Sequence, residues 1–129
     1  MRKKVTVVGA GNVGATAAQI AAETHLHLKQ YAEARVAVEA APSFAKGTAG
    51  KEMLARIALA QNNIDEAAKI YGTIEADSDE AKIFLAKQAF EQKNWFRARK
   101  LTEELIKKYP ERGQLRANLD AIAKAESAK

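Results

Sequence analysis

Three stretches of this chain share one rhythm, and their spacing restricts the fold more than any other feature. They are LKQYAEARVAVEAAPS at 28–43, AQNNIDEAAKIYGTIEADS at 60–78 and EQKNWFRARKLTEELIKKYP at 91–110. Each has a polar turn, then a large residue, then an alanine three positions later: Tyr31 with Ala34, Ile64 with Ala67, Trp95 with Ala98. The alanines therefore recur at near-equal intervals, each a little over thirty positions. A period in this range marks a helical hairpin that cannot bury its apolar face alone and stacks on its neighbours. The text between the turns is rich in Ala, Leu, Lys, Glu and Gln, the strong helix formers, so an all-α fold is predicted.

Helical periodicity supports this segment by segment. Leu54, Ile57, Ala58 and Gln61 follow i, i+3, i+4, i+7 on one face, as do Leu101, Leu105 and Lys108, with Ile106 beside them. Asn63 and Asn94 fall in the turns, where asparagine caps helices or tolerates a left-handed backbone. After Pro110, Leu115, Leu119 and Ile122 form a stripe opposed by Arg116, Asp120 and Lys124, a final amphipathic helix suited to capping a stacked array. The layout predicts seven helices near 12–27, 31–41, 46–61, 64–76, 79–92, 95–109 and 111–126. Asp77, Asp79 and Glu80 suit the start of the fifth, where the helix dipole favours carboxylates.

Over roughly residues 15–110 this pattern resembles the tetratricopeptide repeat (TPR). Leu54, Ala55 and Ala58 match the first helix of the second hairpin, with Tyr71 in its second helix. Leu85, Ala86 and Ala89 match the first helix of the third hairpin, and Pro110 ends that hairpin. The resemblance implies about three stacked hairpins and a concave groove lined by the first helix of each. Arg56 and Lys87 hold equivalent repeat positions on that face, with Leu59, Ile83 and Phe90 on the same side. A base beside apolar side chains suits an extended or helical peptide that carries an acidic group. The asparagine and lysine set of the chaperone-binding repeats is absent, so that activity is not carried over.

The opening of the chain follows a different pattern. An apolar run, Val5–Val8, leads into Gly9, Gly11 and Gly14 in G-x-G-x-x-G spacing and then into alanine-rich helical text. In a dinucleotide-binding unit the first glycine permits the tight turn, the second admits the pyrophosphate and the third lets helix and strand pack closely. The segment 1–23 resembles the start of the malate and lactate dehydrogenases, which implies NAD at these glycines. At 129 residues, the chain is less than half the length of such an enzyme, and neither its catalytic His–Asp pair nor its substrate arginines can be placed. A ribose-binding carboxylate would fall near Glu33, inside repeat text, and the best second strand is the short Thr24–Leu28. The glycines therefore read as a vestigial cofactor site, and no cofactor is expected.

The predicted organisation has two parts. Residues 1–14 form the dehydrogenase-like strand and turn, and residues 15–129 form the helical domain with its capping helix at 111–126. A lone strand at Lys4–Val8 needs a pairing partner, and the same segment of a second copy would supply one as a homodimer. The junction fits a natural fusion, an engineered chimera or a deliberate combination of fragments.

Charge and composition narrow the rest. The net charge is +5, with nine bases and nine acids in residues 1–79 against twelve and seven in residues 80–129. These bases are spread among acids along helical text and do not cluster into a stripe with aromatics, which suits a solvated face more than a nucleic-acid surface. There is no cysteine, which fits a reducing, cytoplasmic setting and removes thiol chemistry. No apolar stretch reaches the roughly 20 residues of a membrane span. His25 and His27 are two apart, a spacing that puts them on different faces of a helix and completes no metal site. The expectation is a non-catalytic scaffold with a protein or peptide partner. The alternative, from a different class, is a nucleotide-binding fragment.

Overall fold

A computed structural model describes the backbone of residues 10–128, with side chains described from residue 17. Among the described residues there are eight helices and no strand. They are α1 (Ala10–His27), α2 (Tyr31–Glu39), α3 (Pro42–Lys46), α4 (Thr48–Ala60), α5 (Ile64–Thr73), α6 (Asp79–Glu91), α7 (Trp95–Lys108) and α8 (Gly113–Ser127). The strand expected at Lys4–Val8 lies outside the described residues. The alternating run at 24–28 is helical through His27, so no second strand forms there.

The chain divides into two compact units, Met1–Ile70 and Tyr71–Lys129. In the first unit, α1 and α2 form a hairpin against which α3 and α4 pack. Ala18 and Ala22 of α1, Ala34 and Val38 of α2, Phe44 of α3, and Met53 and Ile57 of α4 make one continuous core. The alanines on α1 leave room for close approach, and the larger side chains from the other helices fill the space. Arg35 reaches Glu66 at 2.9 Å, a partly exposed pair worth little by itself.

The helix α3 is the element that the sequence layout lacked. Pro42 stands at its first position, where a missing N–H costs nothing, and Ala41 before it is forced toward an extended backbone (φ −120°, ψ 88°). Those two constraints end α2 early and start a new turn. Gly47, with an extended backbone, then separates α3 from α4. Gly50 is buried where the two helices meet.

In the second unit, α6 and α7 form a hairpin and α8 packs along α7. Ser78 caps α6 by accepting from the Ala81 N–H at 3.0 Å, and Asn94 caps α7 by accepting from the Arg97 N–H at 3.3 Å. Ala89, Ala98 and Ile122 meet in a core flanked by Trp95. Lys82 crosses back to the Glu75 and Ala76 carbonyls at 2.8 and 3.1 Å, and Arg97 reaches Glu75 at 2.6 Å. Arg99 pairs with Glu126 of α8.

The repeat is visible in the turns as well as in the helices. Lys29, Asn62 and Lys93 all have a left-handed backbone, φ 62–63°, and they recur at the same intervals as the alanines. At each turn the residue after it donates its N–H five positions back: Gln30 to His25 at 2.7 Å, Asn63 to Ala58 at 2.8 Å, Asn94 to Ala89 at 2.8 Å. The left-handed residue itself donates three positions back, to Leu26, Leu59 and Phe90. This pair of bonds is the Schellman ending, which satisfies the last carbonyls of a helix. Ala34, Ala67 and Ala98, five positions past each turn residue, are all 0% exposed.

Candidate functional site

The sixth helix has two different faces, and one of them borders a groove. Ala81, Leu85 and Ala89 point into the second unit and are buried. Ile83, Lys87 and Phe90 lie on the opposite side, with Ile83 50% and Phe90 37% exposed. These three are the sequence-predicted binding residues of this helix, and the structure brings them together. With Ala86 they form one wall of a groove of about 500 Å³.

Thr102 and Leu105 of α7 contribute to the floor, and Leu115, Asn118, Ala121 and Ile122 of α8 form the far wall, with Arg112 and Gln114 beside it. The lining is mostly hydrocarbon. It contains two cations, Lys87 and Arg112, and no carboxylate. Phe90 stands edge-on to Trp95, with ring centroids 5.3 Å apart at 75°, a favoured aromatic geometry that fixes the Phe90 ring at the groove wall.

Around Arg112 the polar contacts are specific. Its guanidinium lies over the Tyr109 ring, 4.1 Å from the centroid, and the Lys108 ammonium is 5.6 Å from the same ring. The Tyr109 hydroxyl donates to the Asp79 carboxylate, and Lys108 Nζ approaches that carboxylate at 3.3 Å. The tyrosine hydrogen bond, with the Lys108 contact adding to it, holds Asp79 below the usual carboxylate range, and burial opposes the shift. Lys108 is raised by the same contact.

The other predicted residues stand elsewhere. Arg56 and Leu59 lie on α4 of the first unit. Gly9 lies outside the described residues, and Gly11 and Gly14 belong to the backbone of α1. Glu33, at the distance expected of a ribose-binding acid, is in the first turn of α2. His25 Nδ1 is 2.7 Å from the Gln30 side-chain oxygen, next to the Lys29 turn. Among the described residues no three His, Asp or Glu side chains gather as metal ligands, and no helix is long and apolar enough to cross a membrane.

Sequence reasoning missed the α8 wall and Arg112. The stripe Leu115, Leu119, Ile122 is real, but the groove is lined by Leu115, Asn118 and Ile122, a face turned slightly around the helix. The available signal was Tyr109 three positions before Arg112, a ring and a cation separated by the proline that stops α7.

Among known families, the tetratricopeptide repeat matches residues 85–112. That stretch runs from the middle of α6 through α7 to Arg112 and includes the Lys93 turn. No curated protein and no solved structure matches the chain.

Proposed function

We propose that this chain is a non-catalytic protein–protein interaction scaffold of TPR type that docks a partner segment in the groove of its second unit. The observation that carries this reading is the convergence of Ile83, Lys87 and Phe90 on one apolar groove with α7 and α8. Further support comes from the repeat match over the same hairpin, and from the recurrence of turn geometry and zero-exposure alanines through both units. An apolar floor under two cations suits a segment with hydrophobic anchors and an acidic group, the helix-in-groove mode of recognition. Arg56 and Leu59 occupy the equivalent positions of the preceding hairpin, and we assign them the same kind of role.

Trp95 is the single tryptophan of the chain and touches Phe90, so it reports on the groove without a label. Peptides with leucine anchors and acidic flanks are expected to shift its emission, and Phe90→Ala or Lys87→Glu to weaken that response. A set of such peptides that leaves the emission unchanged, with both variants indistinguishable from the parent, would defeat the proposal.

A further inference from the structure

The geometry points to Arg112 as the residue that makes the groove select an acidic partner helix, with Tyr109 and Asp79 as the positioning residues that hold it. This rests on the groove being the docking site. Three other arginines are held by acids: Arg35 by Glu66, Arg97 by Glu75 and Arg99 by Glu126. Arg112 is different. Among the described residues its guanidinium has no carboxylate partner, and it lies on the face of Tyr109.

An aromatic face orients a guanidinium but does not neutralise it. The attraction comes from the ring quadrupole, and the N–H donors at the edge of the planar group remain available. The ring is itself fixed. Its hydroxyl donates to Asp79, which sits in the first turn of α6. The backbone adds a second restraint, because the Arg112 N–H donates to the Tyr109 carbonyl at 3.1 Å. A charge held in one place, unpaired, on a groove whose lining contains no acid is pre-organised for a carboxylate. Lys87 supplies the second cation of the lining, but as a point charge on a flexible stem.

The occupant this fits is an amphipathic helix with apolar residues on one stripe and glutamates flanking it. The test uses a fluorescein-labelled synthetic helix with leucine at i, i+3, i+4 and i+7 and glutamate between, and its counterpart with glutamine for glutamate. Affinities are read by fluorescence anisotropy on the full chain. The parent protein should prefer the glutamate peptide by roughly three- to tenfold, the scale of one charge-assisted, partly solvated contact. Arg112→Gln should abolish that preference. Arg112→Lys, which keeps the charge and loses the planar stack and fork, should lose most of it. Tyr109→Phe, which keeps the ring and loses the bond to Asp79, should lose part of it.

Equal binding of both peptides by the parent overturns this inference and leaves the docking reading intact. So does a preference that survives Arg112→Gln. Full retention in Arg112→Lys overturns the positioning argument, since charge alone would then suffice. If neither peptide binds the parent, the docking reading fails, and this inference fails with it.

Discussion

The Tyr109 hydroxyl donates to the Asp79 carboxylate and so ties the residue that ends α7 to the first turn of α6. That bond leads the effects that hold Asp79 below its ordinary 3.8, with Lys108 contributing by contact and charge and Lys82 by charge. A carboxylate depressed in the folded state contributes stability that is fully present above its unfolded pKa and is lost as pH falls through the folded value. The urea midpoint of the parent is therefore expected to fall below about pH 4, and Asp79→Asn to flatten that fall while lowering the midpoint at neutral pH. The Lys108 side of the contact has the opposite sign: raised above 10.5, its share is present at neutral pH and fades in strong alkali. Parallel acid limbs in parent and variant would show that Asp79 does not titrate against folding.

Gly50 presses against the backbone of α3. A Cβ placed there would lie 2.6 Å from the Phe44 carbonyl carbon and 2.9 Å from Ala45 Cα, and closer still to the Phe44 oxygen. These are main-chain atoms that cannot swing aside, and Phe44 is anchored in the first unit's core. Gly50→Ala should destabilise by about 1–3 kcal/mol or more, the cost of overpacking. Gly72→Ala is the control. Nothing lies within 4 Å of its Cβ position, and a helical alanine there should gain about 0.5–1 kcal/mol. Thermal melts of the two variants should move in opposite directions.

How far the sequence revealed this fold depends on how local the cause is. The alanine period and the polar turns are local, and they placed the hairpin turns closely. The face Ile83, Lys87, Phe90 follows from helical spacing alone and was also legible. The short helix α3 was not, because so short a segment carries too little periodicity to distinguish from a loop. Its cause is one proline and one close backbone approach. The amphipathic helix α8 was legible, but its part in the groove was not. The apolar stripe placed the helix, but that Asn118 lines the groove beside Leu115 and Ile122 depends on how α8 rotates against α7, which spacing does not set. The three-position spacing of Tyr109 and Arg112 was a signal for the stack, but the role proposed for Arg112 depends also on a carboxylate at the far end of the hairpin and on the turn between them.

The serine and asparagine caps of the second unit differ in quality. Ser78 is 1% exposed and accepts from Ala81 at 3.0 Å, whereas Asn94 is exposed and its bond to Arg97 is 3.3 Å. Removing the oxygen leaves a helix-terminal N–H unsatisfied, and burial at Ser78 keeps bulk solvent from replacing it. Ser78→Ala is expected to cost about 1–2 kcal/mol and Asn94→Ala about half as much, measured as urea unfolding free energies. Equal losses would mean that burial of the cap does not matter here.

The three left-handed turn residues offer the sharpest test of the repeat, because the same geometry is occupied by different residues. Lys29, Asn62 and Lys93 share φ near 62–63°. For an L-residue with a long side chain that backbone is destabilised by contact between Cβ and the carbonyl oxygen. Asparagine is less affected, and glycine escapes the contact altogether. Glycine loses part of this advantage because its unfolded chain is freer. Lys29→Gly and Lys93→Gly should each stabilise by about 0.5–1 kcal/mol, and Asn62→Gly should gain less than either. The ordering is more telling than the magnitudes. Glycine preserves the two backbone bonds at each turn, so the substitution leaves the Schellman ending intact. If Lys93→Gly destabilised, the left-handed turn would not be the resting geometry of the α6–α7 hairpin, and the threefold recurrence of the turn would lose its third member.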